Sequence, residues 1–195
     1  GMYGIYTEEE LQKFRDGSDP YGYPNTDWNK EVLLPRAWQQ MHSLTASGGS
    51  DKVKYFAGFG YVKQDALYGD TRTNKSTSGF NRYNARVNID ANIVDKYLNL
   101  SADMAYRQED RNSIAGSTSD VFNNMHRNPQ TDPGRFPDGN LGKVSLGVNP
   151  IGLATEGGWV KDRKSVLNTR FMLDFNVPGL EGLNLKGIFS YDKIF

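Results

Sequence analysis

Asn81 to Ile93 reads N-R-Y-N-A-R-V-N-I-D-A-N-I, and from Tyr83 onward apolar and polar side chains alternate strictly. The even positions are all charged residues or amides: Arg82, Asn84, Arg86, Asn88, Asp90 and Asn92. Successive side chains of a β-strand point to opposite faces, so this pattern predicts a strand with one apolar and one polar face. The alternation returns at residues 98–106, 167–177 and 183–192. Each run is about as long as a membrane-crossing strand, which takes roughly 9–11 residues, whereas soluble strands often have about 5–6.

The composition narrows the class of protein. The chain has 23 basic and 23 acidic residues, so it carries no basic footprint for nucleic acid. It contains no run of 18 apolar residues, which excludes a transmembrane helix. The mean hydropathy of −0.66 is that of a polar chain. A transmembrane β-barrel is polar too, because half of each strand faces the lumen.

The lengths of the predicted connections also alternate. Short connections fall at residues 48–52, 94–96 and 178–182, and long ones at 69–79 and 109–164. An antiparallel meander places alternate connections at opposite ends, so all short turns share one end, as in outer-membrane barrels. The alternative is a soluble meander, since a half-buried soluble sheet also alternates.

We therefore predict an all-β fold, an antiparallel meander of about six strands with long loops that forms a fragment of a large transmembrane β-barrel. One or two short helices accompany the strands. A capping box at Thr7–Glu10 predicts a helix that ends near Gly17, and a second helix at residues 120–127 must end before Pro129. We divide the chain into an extracellular-loop segment, residues 1–36, and barrel strands, residues 37–195, with a loop insertion at about 109–164.

Four strings of residues resemble one protein family. They are EELQKFRDGSDPYGYPNTDW (Glu9–Trp28), HSLTASGGSDKVKYFAGFGY (His42–Tyr61), RYNARVNIDA (Arg82–Ala91) and PGLEGLNLKGIFSYD (Pro178–Asp192). In this order they resemble the SusC/RagA family of TonB-dependent outer-membrane transporters, and the resemblance covers nearly the whole chain. Gly1 before Met2 resembles a tag-removal scar, and no turn follows the last alternating run. We therefore expect an excised piece of a longer protein.

The resemblance implies a function. Proteins of this family are plugged barrels of about 22 strands in the bacterial outer membrane. They import glycans or peptides, a SusD-like surface lipoprotein lids the barrel, and the TonB complex supplies energy. The resemblance puts this chain just after the plug, beginning in an early extracellular loop. The competing interpretation is a soluble β-rich carbohydrate-binding or adhesion module. No arrangement of residues indicates catalysis, so we expect a protein that is not an enzyme.

The polar row from Arg82 to Asn92 would line the barrel lumen and hold the plug, or it would simply be solvated. Five tyrosines lie on the apolar faces of their predicted strands. They are candidates for the aromatic girdle at the membrane interface: Tyr55, Tyr61, Tyr83, Tyr106 and Tyr191. Gly58 and Gly60 lie on the face of their predicted strand opposite the apolar residues, and they leave room there for a bulky group. No cofactor is expected.

The loops contain further candidates. Four aromatic residues are candidates for contact with sugar rings or the lipoprotein, with packing inside the loop as the alternative: Tyr21, Tyr23, Trp28 and Trp159. Asp16, Asp19 and Asp27 offer oxygen ligands for Ca²⁺, although their spacing is not that of an EF-hand loop. The isolated chain is expected to self-associate, because six strands leave two open edges and an apolar face.

Overall fold

The computed structural model describes residues 6–195. They divide into two compact units that interleave along the chain. The loop unit contains the segments up to Ala37, Asp65–Gly79 and Asn112–Val160. The strand unit contains Trp38–Gln64, Phe80–Arg111 and Lys161–Phe195.

The strand unit is built around one six-stranded sheet in which each strand pairs with its neighbours in the chain. The strands are β1 (Gln39–Gly49), β2 (Val53–Asp65), β3 (Gly79–Val94), β4 (Leu98–Ile114), β5 (Trp159–Asn176) and β6 (Asn184–Ile194). This confirms the predicted meander of six strands. Short turns join β1 to β2, β3 to β4 and β5 to β6, and Lys96 takes a left-handed conformation in the second of them.

The register puts the apolar residues of neighbouring strands on one face. Leu44 pairs with Phe59 across β1 and β2, and Phe171 pairs with Phe189 across β5 and β6. Paired residues of an antiparallel ladder point to the same side, so apolar side chains gather on one face of the sheet. Among residues 6–195, Val62 is the one buried hydrophobic residue of the strand unit. The sheet is therefore a single layer without a core of its own.

The loop unit, in contrast, has a hydrophobic core that joins residues from all three of its segments. The core residues are Trp28, Val32, Tyr68, Ile114, Val121, Met125, Ile151 and Ala154. The helices are α1 (Glu8–Asp16), α2 (Trp28–Val32), α3 (Thr118–Arg127) and α4 (Pro150–Thr155). The predicted capping box at Thr7 and Glu10 is present, and Gly17 ends α1 in a left-handed conformation.

Two sequence-based expectations need correction. The chain has four helices in residues 6–195 rather than one or two, because caps at Asp27 and Asn149 start two helices of five and six residues that show no 3.6-residue periodicity. All four are too short and too polar to span a bilayer. In addition, β4 continues to Ile114 and β5 begins at Trp159, so the connection between them is shorter than 109–164.

Candidate functional site

The polar row of β3 lies on the face of the sheet opposite the apolar residues. Its members are Arg82, Asn84, Arg86, Asn88, Asp90 and Asn92. Asn88 Nδ2 donates to Asp103 on β4, and Ser101 Oγ donates to Asp90 Oδ1 at 2.6 Å. These bonds join even positions of β3 to odd positions of β4 and extend the polar face over both strands.

Asp103 is the centre of this polar face. Its Oδ2 accepts from Arg170 Nη2 at 2.8 Å and from Arg170 Nε at 3.1 Å, while Asn88 donates to its other oxygen. One carboxylate therefore joins β3, β4 and β5. Sequence reasoning missed Asp103 and Arg170, although each lies on the polar face of its own strand. The alternation within one strand does not reveal its register with the next.

The polar network continues to the sixth strand. Asn168 Nδ2 donates to Asp192 Oδ1 at 2.6 Å, and Lys186 Nζ lies 3.3 Å from Asp174 Oδ2. The polar face is thus linked from β3 to β6 by side-chain hydrogen bonds and ion pairs. Two buried atoms on this face lack a hydrogen-bond partner within the described residues, Arg82 Nε and Asn92 Oδ1.

The two glycines of β2 make room for side chains of the sheet itself. A Cβ atom at Gly58 would lie 3.2 Å from Cε1 of Phe56. A Cβ atom at Gly60 would collide with the side-chain amide of Asn84. The bulky groups expected beside these glycines are therefore Phe56 and Asn84. An open depression of about 490 Å³ is lined by both glycines and also by Arg86 and Arg107.

The opposite face of the sheet is apolar and exposed. Large hydrophobic side chains from all six strands contribute to it: Leu44, Phe59, Val87, Ile89, Leu100, Met104, Phe171, Leu173, Leu185 and Phe189. Phe189 is 62% exposed, and Leu44 is 72% exposed. Soluble monomers rarely expose a contiguous apolar surface of this kind, so the face indicates a contact with lipid or with another protein.

The four candidate aromatics of the loops have different surroundings. Tyr21 is half exposed, and Trp159 is 60% exposed. Tyr23 packs edge-on against Phe14, with ring centroids 5.3 Å apart. Trp28 is only 4% exposed, and its Nε1 donates to the carbonyl of Pro129 at 3.1 Å. Trp28 therefore serves packing within the loops, which was the alternative interpretation, and has no free ring face for a ligand.

Tyr21 lines an open depression of about 390 Å³ in the loop unit, together with Pro20, Pro24, Pro133 and Arg135. The guanidinium of Arg135 is held in place, because Nη1 donates to Glu156 Oε1 at 3.0 Å and to the carbonyl of Gly139 at 2.9 Å. Prolines and a tyrosine beside a fixed cation form a mixed surface that suits a peptide or a sugar. Nothing in the sequence signalled this depression, since its walls come from segments a hundred residues apart.

The three aspartates considered for Ca²⁺ each serve a local turn or cap. Asp16 Oδ1 accepts from the Ser18 backbone at 2.9 Å, and the hydrogen bonds from Ser18 hold the pKa of Asp16 below its usual range. Asp19 accepts from the backbone of Gly22, and Asp27 caps α2. In residues 6–195, no three side chains of the metal-binding types come together.

Known structures share this fold. The chain superposes on a chain of the RagAB peptide transporter with a TM-score of 0.61, at 16% identity over 94% of its own length. It superposes equally on the RagAB peptide importer in the open-open state, with a TM-score of 0.60 and 16% identity over 99% of its length. It spans only 22% and 23% of those chains. No protein-family model matches the sequence, and no curated protein does. The likeness establishes the fold alone.

Proposed function

We propose that this chain is part of the barrel wall of a SusC-like importer of the SusC/RagA family in the bacterial outer membrane. The apolar face of the sheet then contacts lipid, and the polar face lines the lumen. The wall would contain further strands, because β1 and β6 each pair on one side only within the described sheet. The role is transport, and no catalytic step is assigned to the chain.

One observation carries this proposal. A single-layer sheet exposes large apolar side chains on one face and carries linked polar side chains on the other, from β3 to β6. A soluble sheet covers its apolar face with a second layer, whereas a membrane barrel covers it with lipid and keeps a polar interior. The likeness in fold to about a fifth of RagAB transporter chains supports the second arrangement.

The proposed cargo is a peptide or a glycan, taken up with a SusD-like lipoprotein and energised through TonB. The similar structures are those of a peptide transporter, which favours testing peptides first. The depression beside Tyr21 and Arg135 supports contact with either kind of cargo or with the lipoprotein.

Fractionation and uptake test the proposal. The intact protein is expected in the outer-membrane fraction, and its gel migration should shift on heating because a folded barrel resists detergent. Cells that lack it should lose uptake of fluorescent peptides or oligosaccharides, and a variant without the TonB-binding segment should not restore it. Recovery of the intact protein in a soluble fraction, without heat-modifiable migration, would favour the binding or adhesion module.

A further inference from the structure

The depression on the polar face of the sheet has a floor of small residues. Gly58 pairs with Thr45 and Gly60 pairs with Ser43 across β1 and β2, and all four line the depression of about 490 Å³. A glycine in a strand lets another group approach the backbone closely, because it has no side chain. Every described residue that lines the depression belongs to the strand unit. The depression is therefore a feature of the sheet itself.

An aromatic ring lies at the edge of this floor. Phe56 is two residues from Gly58 on β2, so its ring lies on the polar face of the sheet. A Cβ atom at Gly58 would lie 3.2 Å from Cε1 of Phe56, so the ring leans along the strand over the glycine. The ring is 37% exposed. Because lipid contact is proposed for the opposite face, this ring offers an apolar surface to a ligand on the polar face.

Two exposed arginines give the depression a positive charge. Arg86 forms no hydrogen bond or ion pair within residues 6–195, and the carboxylate of Asp103, which senses its charge, already accepts from two other side chains. Arg107 Nε lies 3.5 Å from Glu109 Oε1, which is too long for a strong hydrogen bond. None of the described residues that line the depression is acidic. Both guanidinium groups are therefore accessible to an anion.

Arginines beside an aromatic ring suit a ligand that has a carboxylate next to an apolar group. A guanidinium presents parallel N–H donors that match the two oxygens of a carboxylate, and such charge-assisted hydrogen bonds are stronger than neutral ones. The last residue of a peptide combines both groups, because its α-carboxylate and its side chain are attached to the same carbon atom. Arg135 in the loop unit is less accessible to such a ligand, because it is already paired with Glu156.

We infer that the depression on the polar face binds the C-terminal residue of a peptide cargo. Arg86 and Arg107 bind its carboxylate, and Phe56 contacts its apolar side chain. The side-chain amide of Asn84, which fills the space above Gly60, lines the same depression and bonds the peptide backbone. This assignment rests on the proposed function, and it adds which end of the cargo the sheet recognises and which side chains recognise it.

Peptides with and without a free carboxylate test this assignment on the intact protein. Two fluorescent pools of short random peptides, both ending in Phe, differ only in carrying a free carboxylate or an amide at the C-terminus. Fluorescence polarisation in detergent measures the binding of each pool. The intact protein should bind the acid pool about tenfold more tightly or better, which is the effect of one hydrogen bond to a charged group.

Variants of the depression locate this preference. Arg86→Gln and Arg107→Gln should each reduce the preference for the acid pool, and the double variant should abolish it. Lys54→Gln removes a positive charge from the same face of β2 at a position that does not line the depression, so it is the matched control and should retain the preference. Phe56→Ala should weaken binding of the acid pool that ends in Phe, but not of one that ends in Gly.

The outcomes separate this site from the proposed function. If the intact protein binds both pools equally, or if the double variant keeps the preference, the site is wrongly assigned while peptide import stands. If an oligosaccharide of glucuronic acid binds through the two arginines and peptides do not bind, the assignment to a peptide is wrong. If neither kind of cargo binds or enters cells, the proposed function fails and the site with it. Heat-modifiable migration verifies folding, and Arg86→Lys replaces Arg86→Gln if that variant misfolds.

Discussion

The loop unit and the strand unit differ in how they cover their apolar side chains. The loop unit closes its own core, in which Val32 and Val121 have no exposed surface. The strand unit leaves Leu44, Phe171 and Phe189 exposed and buries Val62 alone of its hydrophobic residues within the described chain. A region that covers its apolar surface needs no further cover, whereas one that does not requires an environment that covers it. The comparison therefore points to lipid around the sheet and water around the loops.

The largest effect we expect is a change in the state of the 195-residue chain when lipid is absent. In aqueous buffer the apolar face and the two strand edges should drive self-association, while detergent micelles should disperse the chain. Static light scattering measures the difference. A monomer in buffer, with the apolar face still exposed, would show that the strand unit does not require an environment that covers this face.

A substitution in the loop core should destabilise the loop unit. Trp28→Ala removes a buried ring and its hydrogen bond to Pro129, and such truncations cost about 3–5 kcal/mol. Hydrogen exchange at the amides of α3 in the intact protein measures the loss. Tyr21→Ala, in the same unit but half exposed, is the control and should leave the exchange nearly unchanged. Equal effects of the two variants would contradict the assignment of Trp28 to the core.

A charge on the apolar face should destabilise the sheet only in lipid. Ile89→Arg is expected to cost about 2–4 kcal/mol near the bilayer centre. Urea unfolding of the intact protein in vesicles measures this cost. Asn88→Arg places the same side chain on the polar face and should cost far less. If the two variants unfold at the same urea concentration, the proposal that only the apolar face contacts lipid is wrong.

The smallest effect concerns the cap of α1. Thr7→Ala should cost about 1 kcal/mol of local helix stability. The Thr7 backbone N–H, which donates to Glu10 Oε2 at 2.7 Å, is the main cause that lowers the pKa of Glu10 from 4.5. Because the pKa of Glu10 is lower in the folded chain than in the unfolded chain, ionised Glu10 stabilises the helix at pH values above its unfolded pKa. This stabilisation disappears as the pH falls through the folded pKa.

Amide exchange in α1 should therefore accelerate below pH 4.5, the ordinary value for Glu10, after correction for the intrinsic rate. Glu10→Gln should weaken this acid-induced step and leave only the part due to Asp16, whose pKa is lowered as well, whereas Glu9→Gln, one residue earlier in the same turn, should retain the full step. A step of undiminished size in Glu10→Gln would assign the acid sensitivity to another group.

The sequence predicted the sheet far better than the loops. Strict alternation at period two identifies a strand without reference to its neighbours, which is why the rows of β3 and β4 were recognised. The loop core joins Trp28, Val121 and Ile151, which are distant in the chain and share no periodicity. The hydrogen bonds of Asp103 were missed for a related reason, since they depend on the register between strands.

The most direct measurement is a cryo-EM map of the intact protein in lipid nanodiscs. We predict that β1 and β6 each pair with a further strand, that Val87 and Ile89 face the lipid of the disc, and that Asn88 and Asp103 face the interior. A second protein layer packed on Val87 and Ile89, in a particle that excludes the disc, would contradict it.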